Sequence, residues 1–211
     1  MATAVAVVLI ATGVATIGVW IATQEQPVQP PGAALPSPDA TERSDATAAR
    51  RTKRTMPRSK PVTLDIPSIN VHSKVQRLGQ TASGALEVPS APHYDQAAWY
   101  RYSPTPGSLG PAILLGHVDS ADNGPSVFFR LGELKRGDRV SVKRANGSVA
   151  NFVVDEVHSY SKNDFPTKVV YRDIDHAGLR MITCGGAFDD STGHYLNNIV
   201  VFASLTNERD R

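Results

Sequence analysis

The stretch RVSVKRANGSVANFVVDEVHSY, residues 139–160, alternates apolar and polar side chains on both sides of Asn146-Gly147. Strand side chains point to opposite faces with a period of two, and Asn-Gly suits the tight turn between antiparallel strands. Strands are therefore predicted over Arg139–Lys143 and Val149–Tyr160, joined as a hairpin. Outward from this hairpin the texture persists. Val62–Ile66 alternates, and Leu86–Val88 is a short apolar piece after Ser83-Gly84. Ala112–Leu115 is a continuous apolar run ending at Gly116-His117, and Leu179–Cys184 and Ile199–Leu205 are two more strand-like runs. Ser126–Leu134 reads as one short helix or 3-10 segment. Short strands, Gly/Pro turns and little helical periodicity predict an all-β barrel or sandwich over residues 61–207.

The chain has 211 residues, 41% hydrophobic and 20% charged, which excludes wholesale disorder. Its net charge of +2 is unevenly placed: residues 1–60 hold seven of the 22 basic and four of the 20 acidic side chains. The remainder is close to neutral, which argues against nucleic acid as a partner, because phosphate binding needs a basic face. The single cysteine, Cys184, excludes an internal disulfide and a Cys-rich zinc site. A buried structural thiol, an intermolecular bridge and a nucleophile remain.

Residues 2–22, ATAVAVVLIATGVATIGVWIA, carry no charge. A helix of that length spans the roughly 30 Å hydrocarbon core, so a transmembrane anchor is expected. The alternative is a cleaved signal peptide, but the run exceeds a usual h-region and no basic n-region precedes it. Residues 23–60 are rich in Pro, Ala, Ser and Thr and read as a disordered linker. The linker ends in a basic cluster, Arg50 to Lys60, suited to an acidic cell surface or anionic lipid, or simply solvated.

Two residues at strand ends have complementary chemistry. Cys184 closes Leu179–Cys184 before Gly185-Gly186, where glycines permit a sharp turn and close approach of a substrate chain. His117 closes a second apolar run. A lone Cys is as a rule a small buried hydrophobe, and a lone His a structural residue. Together they form a pair in which an imidazole activates a thiol and then shuttles protons. Trp99, Tyr100 and Tyr102 line a peptide groove or pack a core.

Ile182-Thr183-Cys184 resembles the Thr-x-Thr-Cys strand of sortases, and Gly116-His117 resembles their histidine motif. Trp99-Tyr100, Pro106-Gly107, Gly116–Ser120, Gly124-Pro125, Phe128–Leu131 and Thr183–Gly186 resemble, more narrowly, the class F sortases of actinobacteria. The resemblance covers nearly all of 61–207, and the N-terminal anchor and linker suit it. It implies an eight-stranded β-barrel, membrane-anchored by one span, with the catalytic domain outside the cell. It implies that Cys184 attacks the Thr–Gly carbonyl of a Leu-Pro-x-Thr-Gly-like sorting signal on a secreted protein, with His117 as acid–base group. Lipid II or a pilin lysine then supplies the amine, and no cofactor is required. Thr183, Asp119 and Trp99 are carried over as substrate-side residues.

The sequence departs from the family in one place. The arginine expected on the next strand is replaced by Asn198, and no Arg lies between Cys184 and it. Asn198 offers N–H donors without charge; Arg130, or Arg180 with the strand parity of Cys184, are the alternatives. Asp119 either orients the imidazole or belongs, like Asp122, to turn chemistry. Asp189-Asp190 lack the spacing of a calcium loop, so no metal is expected. Two other readings stay open: a different cysteine acyl-transfer enzyme (a peptidase or peptidoglycan transpeptidase), and a catalytically silent anchored binding barrel.

Overall fold

A computed structural model describes residues 26–30 and 55–206. The expected anchor over 2–22 lies outside them, and among the described residues no helix is long and apolar enough to cross a membrane.

The described residues form ten strands: β1 (Pro61–Ile66), β2 (Val71–Leu78), β3 (Ala97–Tyr100), β4 (Gly110–Leu115), β5 (Asp119–Ser120), β6 (Gly124–Pro125), β7 (Arg139–Arg144), β8 (Val149–Ser161), β9 (Ala177–Asp189) and β10 (His194–Leu205). Eight of them close a barrel in the order β1-β2-β3-β4-β9-β10-β8-β7, while β5 and β6 make a separate two-stranded ribbon. The β7–β8 hairpin turns at Asn146-Gly147, with Gly147 at φ 85°, as the alternation predicts. Ser126–Leu134 contains one 3-10 turn, Leu131–Glu133. A short helix, Thr167–Tyr171, lies between β8 and β9. Leu86–Val88 contributes no strand, only an isolated bridge from Leu86 to Gln80.

The barrel interior is filled by alternate residues of the strands, among them Leu64, Ile66, Val140, Phe152, Leu179, Met181, Ile199 and Val201, and closed by Phe128 and Leu131. A second cluster lies on the outer face of β4, β9 and β10. There Ile113, Leu115, Ile182 and Val200 are covered by Tyr160 and Val170, with Phe165 and Tyr171 packed against them. β4 is therefore buried on both faces over its whole length, which is why Ala112–Leu115 reads as a continuous run rather than an alternation. β4 and β9 run parallel, Leu115 opposite Ile182. The chain just ahead of β1 belongs to the barrel too: Met56 packs on the core and its N–H donates to Gly107 O at 2.7 Å.

Candidate active site

The parallel register of β4 and β9 ends with Gly116 N–H donating to Ile182 O at 3.3 Å. One more residue on β4's side and two more on β9 bring His117 level with Cys184. In the antiparallel register of β9 and β10, Cys184 faces Asn198 directly. Adjacent strands lie about 4.8 Å apart, so Cys184 and Asn198 stand side by side on β9 and β10, and His117, two residues past the end of β4, continues the row from Leu115. By the period of two, Cys184 and Asn198 share the outward face of Ile182 and Val200, the face that Leu115 shows on β4. Cys184 and His117 are both half-buried.

β9 does not stop at Cys184. It runs on through the glycine pair to Asp189 and makes a long hairpin with β10. The register shifts between Tyr195 and Asn197, and Gly186 opposite the shift has φ 80°. The glycines thus form a bulge that bends a continuing hairpin, not a strand-to-loop junction.

The imidazole is fixed on two sides. His117 Nε2 lies 2.8 Å from Pro89 O, and a carbonyl only accepts, so Nε2 carries the proton and Nδ1 keeps its lone pair. The Tyr94 ring stacks on it at 4.2 Å and 11°. Asp119 does not orient His117. Its backbone carbonyl accepts from the Tyr94 hydroxyl and its carboxylate from the Tyr195 hydroxyl, so it organises the phenols around the imidazole. Both phenols are pushed above their ordinary range, first by burial. The Asp119 hydrogen bond raises Tyr195 further, and the negative charges of Asp119 and Cys184 raise both. They remain neutral hydrogen-bond donors beside Cys184.

The remaining expected residues are placed differently. Arg180 shares the face of Cys184 but lies four residues back, about 13 Å along the strand. It is 7% exposed, with its guanidinium 4.5 Å from the Phe202 ring centroid and its Nη1 donating to Leu179 O at 3.2 Å. Burial pushes its pKa down to about 10. Arg130 is clamped by Glu133, with Nε 3.0 Å from both carboxylate oxygens and Nη2 2.6 Å from Oε2. Thr183 points to the barrel interior, 4% exposed, with its hydroxyl buried and unpartnered. Trp99 is a core residue, not a groove wall: it is 3% exposed, and its indole N–H donates to Ser103 Oγ and Pro104 O, each at 3.1 Å. Asp189 accepts from Ser191 and Thr192 as turn chemistry, and among the described residues no group of three or more His, Cys, Asp or Glu is arranged to hold a metal.

Sequence reasoning missed Pro89, Tyr94 and Tyr195. Each comes from a segment other than the two strand ends: Pro89 directly follows the short apolar piece Leu86–Val88, Tyr94 lies before β3, and Tyr195 stands near the start of β10, opposite Phe188.

A family model for the sortase domain matches residues 64–206. No curated protein matches the chain. Among solved structures, it is similar to sortase A from Corynebacterium diphtheriae at 16% identity and TM-score 0.51, covering 84% of this chain and 73% of that one. A sortase D5 transpeptidase from Clostridium perfringens is similar at 17% identity and TM-score 0.50, covering 79% and 89%. Sortase C1 from Streptococcus agalactiae is similar at 18% identity and TM-score 0.54, covering 70% and 67%. At such identities these likenesses concern the fold.

Proposed function

The chain belongs to the sortase family of cysteine transpeptidases, and on that premise we propose that it is a class F-type enzyme, anchored in the membrane through residues 2–22 with its barrel outside the cell, that cleaves a Leu-Pro-x-Thr-Gly-like sorting signal between Thr and Gly. The observation that carries the reading is the outward row of His117, Cys184 and Asn198 on adjacent strands.

The chemistry follows from that row. The Cys184 thiol gives its proton to His117 Nδ1, the ring nitrogen left free by the Pro89 contact. The thiolate attacks the Thr carbonyl carbon, and the π pair moves onto oxygen. The Asn198 carboxamide, which makes no hydrogen bond to the described residues, donates N–H to that oxyanion. Collapse breaks the C–N bond, and the leaving Gly amine takes its proton from His117. A thioester remains, storing the energy of the cleaved amide, so no ATP is needed. An acceptor amine, from lipid II or a pilin lysine, then attacks the thioester carbonyl, passes its proton to His117 and expels Cys184 as thiolate.

Product mass spectrometry with and without added amine tests the transfer step. An amide of the added amine is expected to replace the hydrolysed acid; acid alone at saturating amine would make the protein a peptidase. Asn198 in place of an arginine favours a second reading, a silent anchored binding barrel. Alkylation of Cys184 at the rate of a model thiol near neutral pH would support it.

A further inference from the structure

Residues 26–30, Gln-Pro-Val-Gln-Pro, lie against the barrel although 24 residues separate Pro30 from Thr55. Gly186 N–H donates to Gln29 Oε1 at 2.6 Å, and Gln29 Nε2 returns to Pro27 O at 2.9 Å. Pro27 and Pro30 are buried, while Val28 and Gln29 stay largely exposed. The surface beneath is built of absent side chains. A Cβ on Gly132 would stand 2.1 Å from Val28 O and 3.0 Å from Pro30 Cδ, and one on Gly185 3.0 Å from Gln29 Oε1. The same two Cβ positions lie 3.2 and 2.7 Å from Ile199 Cδ1, which places this cleft on the interior side of β9 and β10, behind the thiol.

We propose that the cleft between the 131–133 turn and the Cys184-Gly185-Gly186 bulge is a second peptide-binding site, for an extended, uncharged, proline-containing chain, and that residues 26–30 fill it as an intramolecular occupant. Three observations agree. Gly132 leaves room for the strap's backbone at Val28, and Gly185 leaves room for the Gln29 carboxamide. The bulge N–H, two residues after Cys184, finds its acceptor in the strap's carboxamide. The strap buries its two prolines. A tether of 24 residues reaches at most about 80 Å, ample for docking in cis, and raises the local concentration to the millimolar range. A chain that seats in this cleft must first displace the linker, which couples the N-terminal segment to the turn that carries the thiol. The inference rests on the strap contacts and stands or falls independently of the acyl-transfer reading.

Amide exchange at Gly186 in the full chain, held in detergent, tests it without any sorting peptide. Gln29→Ala removes the acceptor and Gly132→Ala sets a methyl against Val28; each is expected to speed Gly186 exchange at least tenfold. Acetyl-Gln-Pro-Val-Gln-Pro-amide at millimolar concentration is expected to restore slow exchange in Gln29→Ala and not in Gly132→Ala. Wild-type exchange in Gln29→Ala, or no response of that variant to the peptide, would overturn the proposal. Gln29 lies outside the barrel, so its variant decides the matter even if Gly132→Ala fails to fold.

Discussion

At the scale of single residues the site is a division of labour imposed by hydrogen-bond valence. Pro89 can only accept, so it sets which imidazole nitrogen of His117 bears the proton. Asp119 takes the Tyr94 hydroxyl on its backbone carbonyl and the Tyr195 hydroxyl on its carboxylate, so it holds the phenols rather than the ring. Asn198 is the group left facing Cys184. We expect Asn198→Ala to lower kcat about 100-fold, the scale of losing one oxyanion donor, with an unchanged melting temperature; steady-state kinetics and a melting curve check this. Normal turnover there, with loss of activity in Arg130→Ala, would reassign the role. Tyr195→Phe leaves the Asp119 carboxylate without its donor and with its charge less dispersed beside the thiol. Thiolate formation then becomes harder, and iodoacetamide should alkylate Cys184 several-fold more slowly near neutral pH; an unchanged rate would show that Asp119 does not couple to the thiol. The positions of Cys184 and His117 at the ends of apolar runs were legible in the sequence. The settings of Tyr94, Tyr195 and Pro89 were not, because contacts across tens of residues leave no local periodicity.

At the scale of elements, legibility follows which faces are buried. β7 and β8 are buried on one face and alternate, so the hairpin could be read from residues 139–160. β2 escaped because its inward position is polar: Ser73, 6% exposed, accepts from Ala97 N at 2.9 Å and donates to Lys74 O at 2.7 Å, so a hydroxyl stands where an apolar residue would give the pattern. β3 is four residues long with two alanines, too short to show a period. β9 carries the opposite ambiguity. Regular parity put Arg180 on the face of Cys184, and it is there, but on a strand that long a shared face is not a shared site. Its Nε is buried without a partner. Asp155 and Glu156 attract its charge without closing that gap at Nε, and Glu156 also holds His158 at 2.7 Å while Asp155 also accepts from Ser204 at 2.6 Å. Replacing a poorly satisfied buried cation by a similar apolar volume is commonly neutral or favourable. Arg180→Met is therefore expected to keep full turnover, with a melting temperature equal to or a few degrees above wild type. A large loss of activity in the folded variant would return Arg180 to the catalytic set.

At the scale of the whole molecule, a near-neutral barrel follows a basic N-terminal stretch of sequence, and the candidate site lies where β4, β9 and β10 meet. The eight-strand closure keeps that junction rigid: β9 is hydrogen-bonded on both sides, to β4 and to β10. A barrel was legible as a class from strand count and turns. Its strand order was not, since the parallel β2–β3 and β4–β9 pairs depend on long connections that local sequence does not specify. At this junction a thioester is expected to form on Cys184. The full chain, incubated with a Leu-Pro-x-Thr-Gly peptide library and analysed by intact mass and digestion, tests it directly. The account predicts an adduct of the peptide up to Thr on Cys184, absent in Cys184→Ala. No adduct, with Cys184 no more reactive than free cysteine in the folded protein, would contradict it.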